Sequence, residues 1–291
     1  MSWILYAIIG VVLAGASPVL AKSGLRKSNG NLAAAIRGTV LVIGAWVLVG
    51  LTGQNQNLTE LSLTTLLYLI FSGVVTGLVW ICIIQALKTG EVIRVVPVVE
   101  ASIILDILVG LIIFKDTLTW NKIIILVILI LGLVMIVTRT KGKGRKRAWL
   151  LYGLAAMALI AVTVVFDRIG ISGVGSSYER LIRYGIALIL VWTVTLATGG
   201  YKGLRAISFL DGLYLCLSGA VMAGSWYCLH IAYAYGMGNS VAMIECFDMV
   251  AAVVLGCVFM RERLSVRSIF GLIFMMAGFL LLLMNLPVIA V

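Results

Sequence analysis

Apolar positions along this chain come in long unbroken runs, not in the alternation of a surface strand or the one-sided stripe of a soluble helix. Ten runs of about 20 residues each fit the chain: 3–21, 32–51, 66–87, 93–114, 121–138, 149–166, 178–197, 212–235, 239–260 and 267–286. A bilayer core about 30 Å thick needs about 20 apolar residues in helical form, because lipid offers the backbone no hydrogen-bond partner. The pattern therefore predicts an all-α integral membrane protein with ten transmembrane helices. The connections are short, the longest about 14 residues (52–65), so no separate domain is expected outside the bilayer. The first run lacks the basic n-region of a signal peptide, since only Met1 and Ser2 precede it, and it is expected to remain as a span.

Composition sharpens this picture. The 291 residues are 63% hydrophobic and 11% charged, and mean hydropathy is +1.18. A soluble protein carries about 25% charged residues, so a soluble enzyme or a disordered chain is excluded. The net charge of +11 resembles a nucleic-acid signal until the charges are placed. Lys22, Arg26, Lys27, Lys88, Arg94, Arg139, Lys141, Lys143, Arg145, Lys146, Arg147, Lys202, Arg205, Arg261, Arg263 and Arg267 fall in loops after odd-numbered spans. The alternate loops hold Lys115, Lys122 and Arg168. Basic loops stay cytoplasmic. The asymmetry thus predicts both termini outside, with no nucleic-acid partner, and reads 139–147 as a topology anchor between two halves.

The chain also repeats itself. A shift of 146 residues, with no gap, sets Tyr6 on Tyr152, Arg37 on Arg183, Trp46 on Trp192, Ser72-Gly73 on Ser218-Gly219 and Trp80 on Trp226. Gly53, Gly90, Gly110 and Gly132 fall on Gly199, Gly236, Gly256 and Gly278 in the same register. The boundary lies near 145/146, giving halves 1–145 and 146–291. Each half has five spans. Five is odd, so the second half enters the bilayer the other way up. Inverted-topology repeats are the architecture of alternating-access carriers, with substrate bound near the midplane between the halves.

The stretches Ala33 to Arg37 (AAAIR), Gly90 to Pro97 (GEVIRVVP), Phe114 to Trp120 (FKDTLTW) and Met260 to Ser265 (MRERLS) resemble the EamA-type repeat of the drug/metabolite transporter superfamily. The resemblance covers essentially the whole chain. It implies a ten-helix fold whose central cavity is lined by spans one to four and six to nine, with spans five and ten peripheral. It leaves the substrate open, because such transporters move amino acids, nucleotide sugars, quaternary amines and other metabolites.

Four carboxylates interrupt the apolar runs: Glu100 and Asp106 in span four, Glu245 and Asp248 in span nine. Each costs about 2.5–3.5 kcal/mol at the centre of a lone helix. They are expected to face protein, water or ligand. On span four Val99, Ser102 and Asp106 follow i, i+3, i+7 and form one stripe, equivalent to the one bearing Glu245 and Asp248, with Glu100 about 100° round from Val99, flanking the cavity or facing a neighbouring helix. At 1.5 Å per residue the acids are spread across the membrane as a path for a cation or a proton. Arg37 and Arg183 either neutralise two of these acids, clamp a substrate carboxylate, or anchor helix ends.

Trp80, Trp226, Tyr227 and His230 supply aromatic faces for an alkylammonium or guanidinium group, with His230 either a core residue or a proton carrier. Trp3, Trp46, Trp120, Trp149 and Trp192 read as belt residues at the membrane interfaces. Pro97 and Pro18 are expected to kink spans four and one. The five cysteines lie within spans in no ligand-like spacing, and neither a metal, a cofactor nor a disulfide is expected. The expected function is secondary active transport of a small cationic or zwitterionic metabolite, coupled to protons. The alternative is an uncoupled facilitator, or an exporter of a neutral amino acid or nucleotide-type solute. No enzyme chemistry is expected, and the protein is expected to act as a monomer or homodimer in the lipid bilayer.

Overall fold

A computed structural model describes residues 2–26, 28–53, 62–137, 148–170, 176–205 and 207–285. Lys27, Glu60 and the basic stretch 139–147 lie outside the described residues. The described residues form twelve α-helices: α1 (Ser2–Ser23), α2 (Gly30–Thr52), α3 (Leu63–Thr89), α4 (Val92–Glu100), α5 (Ser102–Ile112), α6 (Trp120–Val137), α7 (Ala148–Gly170), α8 (Ser176–Ala197), α9 (Phe209–Tyr235), α10 (Gly238–Glu245), α11 (Asp248–Met260) and α12 (Val266–Asn285). A 3-10 segment, Gly200–Arg205, follows α8. No strand occurs among the described residues.

Ten spans are long and apolar enough to cross a bilayer, because α4 with α5 and α10 with α11 each make up one. They coincide with the ten hydrophobic runs to within a few residues. An even number of crossings puts both ends of the chain on one face, here called the terminal face. The other, where α1 ends at Lys22, is called the basic face.

The helix ends follow local chemistry. Asn29 caps α2 by accepting from the Asn31 N–H at 3.0 Å, and Ser62 caps α3 by accepting from the Thr65 N–H at 3.1 Å. Gly53 closes α2 at φ 66°, and Gly199 follows α8 at φ 69°. These two glycines are 146 residues apart. So are Lys115 and Arg261, the two non-glycine residues with positive φ among the described residues, both at 53°. The repeat read from side chains is thus also present in the backbone.

Proline does not explain the interrupted helices. Pro18 lies inside α1 and does not interrupt it. Span four does break, at Ala101, four residues after Pro97. Span nine breaks at Cys246 and Phe247, the equivalent place, with no proline in either piece. At both breaks ψ collapses toward zero, to −1° at Ala101 and to −18° and −3° at Cys246 and Phe247.

The halves interleave. α1 of the first half packs on α9 and α11 of the second, and α3 packs on α7 and α8. Spans five and ten, α6 and α12, pair with each other away from the centre. Close approach rests on small residues, as is usual where lipid removes the hydrophobic drive between helices. A Cβ at Gly15 would sit 2.6 Å from the Ala251 Cβ and from the Ala252 nitrogen, and one at Gly44 would sit 2.3 Å from the Ala223 Cβ. Gly73 and Gly77 admit α8 in the same way, against Ile186 and Ala187.

Large apolar side chains face outward all round, with Trp120 81%, Ile112 76% and Trp46 68% exposed, as a lipid-facing surface requires. Trp149 departs from the belt expected of it. It is buried in the main core beside Gly90, at the start of α7 where α4 crosses. Trp192 is half-buried and donates from Nε1 to the Thr39 hydroxyl at 3.2 Å.

Overpacking of a tight contact costs about 1–3 kcal/mol. Gly15→Leu is expected to lower the detergent melting temperature, whereas Gly50→Leu, where nothing lies within 4 Å, is expected to leave it unchanged. Thermal denaturation followed by size-exclusion fluorescence tests the pair.

Candidate functional site

The two breaks bring together three of the four acids of spans four and nine. Glu100 ends α4, Glu245 ends α10 and Asp248 opens α11. All three line one groove of about 250 Å³, closed on its far side by Phe279 and Leu283 of α12. Glu100 and Asp248 also line a second cavity of about 130 Å³, shared with Pro18, Met222 and Arg37. The two acids therefore stand between the cavities and contribute to both walls.

Each acid has a different neighbour. Glu245 accepts a 2.6 Å hydrogen bond from the Tyr233 hydroxyl on α9, a residue that no sequence pattern singles out. Asp248 sits in the first turn of α11, where free backbone N–H groups favour negative charge. Asp106 does not join the group. It lies on α5 within electrostatic reach of Arg168, and its Oδ1 finds no hydrogen-bond partner among the described residues. The single stripe assumed an uninterrupted helix, and the break at Ala101 separates Asp106 from Glu100.

The two symmetry-related arginines have diverged. Arg37 donates from Nε to the Ser218 hydroxyl and from Nη2 to the Ser17 hydroxyl, both at 3.1 Å, while lining the smaller cavity. Ser17 and Ser218 also bond each other across the α1–α9 contact. Arg183 instead pairs with Asp167 on α7 and with Glu179 one turn away on α8. The positions equivalent to those two acids in the first half are Ala21 and Ala33. Neither arginine forms an ion pair with Glu100, Asp106, Glu245 or Asp248 among the described residues. The expectation that they neutralise two of the four acids is thus corrected, because Arg183 has counter-ions of its own and Arg37 is held by serines. The spacing of Glu179 and Arg183, i and i+4, was the signal available for that pairing.

The aromatic residues form a column rather than an open cage. Tyr184 of α8 lies between Trp80, at 5.0 Å, and Trp226, at 5.1 Å, joining the two symmetry mates through a residue outside the sequence-based candidates. Arg180 covers the Trp226 ring at 5.1 Å, so the cation–π face expected to receive a ligand is occupied by the protein itself. His230, one turn from Trp226, lies within reach of the same Arg180. Tyr227 faces the other way, 40% exposed over an apolar groove between α2 and α9. Gln85 is tied to Asn31 at 3.0 Å. All five cysteines are unpaired, and no cluster of metal-ligating residues occurs among the described residues.

Removing one member of a partly buried charge pair leaves its partner uncompensated. Arg183→Gln is expected to lower the melting temperature, and the triple variant Arg183→Gln, Asp167→Asn, Glu179→Gln to recover most of the loss. A single variant as stable as the parent overturns the structural assignment of Arg183.

Likeness to other proteins agrees with this geometry. An uncharacterized transporter from the cobO 3′ region of a Sinorhizobium species is 29% identical over 136 residues, covering 47% of this chain and 96% of that protein. A protein of known crystal structure superposes with a TM-score of 0.58 at 15% identity, over 96% of this chain and 95% of the other, a likeness of fold alone. The model of the EamA-like transporter family matches residues 1–138 and again 147–284. Ten spans in two such repeats and a match over nearly the whole length place this multi-pass membrane protein in the EamA-like transporter family.

Proposed function

We propose that this transporter moves a small cationic or zwitterionic metabolite, amine-like or amino-acid-like, across the cell membrane by alternating access coupled to protons. One observation carries the reading. Glu100, Asp248 and Glu245 converge where two helices are interrupted, with a single arginine, Arg37, facing Glu100 and Asp248 across the smaller cavity. A surplus of carboxylates over basic groups in low dielectric attracts a cation, and protons compete with that cation when it is absent. Arg37, with no acidic partner at hydrogen-bond distance among the described residues, is placed to take a carboxylate on the same ligand by charge-assisted hydrogen bonds. An ammonium near Glu100 and Asp248 and a carboxylate near Arg37 together describe an amino-acid-like zwitterion.

In this reading Glu100 and Asp248 bind the cationic group, and Glu245, buffered by Tyr233, carries the proton. Asp106 stands apart as a second titrating position beside Arg168. Trp80, Trp226 and His230 support the site from the aromatic column, and Arg183 holds α7 to α8. The basic face is the cytoplasmic one, with both termini outside.

Uptake into proteoliposomes from a panel of amines, amino acids and nucleotides, with and without a pH gradient, tests the proposal. Amines or zwitterions are expected to move and anions not. Asp248→Asn and Glu100→Gln are each expected to reduce uptake by about tenfold or more, the loss of one charge-assisted interaction. Glu245→Gln is expected to abolish the effect of the gradient. Transport of nucleotides but not amines, or rates indifferent to both substitutions, would overturn the cation site. A C-terminal reporter that requires the cytoplasm is expected to be inactive, and an active one reverses the orientation.

A further inference from the structure

The 146-residue register pairs more than identical residues. It sets Lys22 on Arg168 and Asp116 on Glu262, so each half contributes one base and one acid at matching positions. In the structure these four residues make two ion pairs at opposite faces of the membrane. Lys22 Nζ meets Glu262 Oε1 at 2.6 Å on the basic face, and Arg168 Nη1 meets Asp116 Oδ2 at 3.6 Å on the terminal face. Each pair joins the two halves. Each acid follows one of the two residues held at φ 53°, Lys115 or Arg261, and donates its own N–H back to a helix glycine, Gly110 or Gly256. One local turn, used twice, presents both carboxylates.

The two pairs are in different states. Glu262 is almost fully buried, its side chain 7% exposed, and accepts from the Val92 and Ile93 N–H groups at 3.1 and 3.0 Å. These are the first amides of α4, whose positive end favours a carboxylate. Lys22 also donates to the Gly90 carbonyl at 2.6 Å, just before the helix begins. Glu262 therefore ties the start of α4 to the end of α11, and Lys22 ties both to α1. α4 packs directly on α11, where a Cβ on Gly256 would come 3.3–3.4 Å from Ile93 and Val92.

By the same register Asp116 has its equivalent amides at Gly238 and Asn239, the start of α10, and Arg168 its carbonyl at Gly236. Those contacts are not among the described ones. Asp116 is 40% exposed and shared between Arg168 and Lys122, the latter at 3.9 Å. The atoms nearest a Cβ on Gly110 would belong to Asp116 and Arg168, not to α10, and α10 and α5 have no packing comparable to that of α4 and α11 among the described residues. The molecule is thus closed at one face and loosened at the symmetry-related other.

We propose that Lys22–Glu262 and Arg168–Asp116 are paired latches that close in alternation, each carboxylate seating on the N-terminus of the interrupted helix from the opposite half. In this structure the latch of the basic face is shut. When it opens, Asp116 moves onto the amides of Gly238 and Asn239, Arg168 onto the Gly236 carbonyl, and Gly110 takes the close contact that Gly256 now makes. The proposal rests on the alternating-access reading above but not on the identity of the substrate.

The test uses the full-length protein with its five cysteines replaced and a single reporter, Met222→Cys, in the smaller cavity. Labelling by an impermeant maleimide is timed in right-side-out and inside-out vesicles. A separate single-cysteine variant, Lys202→Cys, identifies the basic face. Glu262→Gln is expected to raise labelling from the basic face by about tenfold or more, the shift produced by losing a charge-assisted hydrogen-bond set. Asp116→Asn is expected to lower it below the parent, and the double variant to return toward the parent rate. Lys22→Gln and Arg168→Gln repeat the two signs and guard against misfolding of any one variant. Shifts of the same sign from both latches, or none from either, overturn the proposal. Since labelling needs no substrate, a failure of amine uptake leaves this result standing, and intact uptake with unresponsive labelling removes the latches alone.

Discussion

A backbone amide or carbonyl without a partner in hydrocarbon costs several kcal/mol, so a chain that crosses a membrane keeps its helices whole unless something compensates. Eight of the ten spans obey this, and one of them holds Pro18 within an uninterrupted helix. Spans four and nine do not, and they fail at equivalent residues. The compensation is visible on both sides of each break. Ala101 turns its N–H back to the carbonyls of Pro97 and Val99, and Cys246 does the same to Ala242 and Ile244. What remains is a pair of helix ends pointing into the molecule, bordered by cavities and by acids. Ends of this kind carry partial charge, which makes them the places in a bilayer where a polar ligand is tolerated. The position of the site follows from the position of the breaks.

The repeat explains why the breaks meet. Two halves inserted in opposite senses place span four of one beside span nine of the other, and small residues let the helices between them come close. Gly15 against Ala251 and Gly44 against Ala223 join the halves across their interface, not within either half. The two halves therefore share one core, close-packed across the line between them.

Much of this was legible in the sequence, for physical reasons that differ by feature. Span number and limits were readable because bilayer thickness fixes the length of an apolar helix. The repeat was readable because Trp and Gly positions are hard to match by chance. The site was half legible. Intramembrane carboxylates announce themselves by cost, but which of them meet depends on where a helix breaks, and span nine breaks with no proline to mark the place. Asp106 falls outside the group because span four breaks at Ala101, between it and Glu100. Trp149 opens a span and so reads as an interface residue, yet the crossing of α4 over α7 buries it, a contact between helices far apart in the sequence. Arg180 over Trp226 is likewise a tertiary fact, and Tyr184 entered no pattern because its mate in the first half is Gly38, which makes room for Trp80.

The divergence of the two arginines shows how a symmetric frame acquires an asymmetric interior. Had both kept the same surroundings, each would have a serine pair and no counter-ion, and the cavity would carry two positive groups against its acids. The second half instead supplies Asp167 and Glu179 where the first has Ala21 and Ala33, and Arg183 turns to them. Its serine equivalent, Ser72, is left with a hydroxyl that has no partner among the described residues, the mark of a contact the first half makes and the second has given up. One arginine is thereby committed to holding α7 to α8. The other keeps its guanidinium on the cavity wall with no carboxylate at hydrogen-bond distance. A carrier whose halves exchange roles in the cycle needs symmetry in its moving parts but not at its binding site. The residues that differ between repeats are therefore better pointers to the ligand than those that match, and here they leave an excess of negative charge with one fixed positive group beside it.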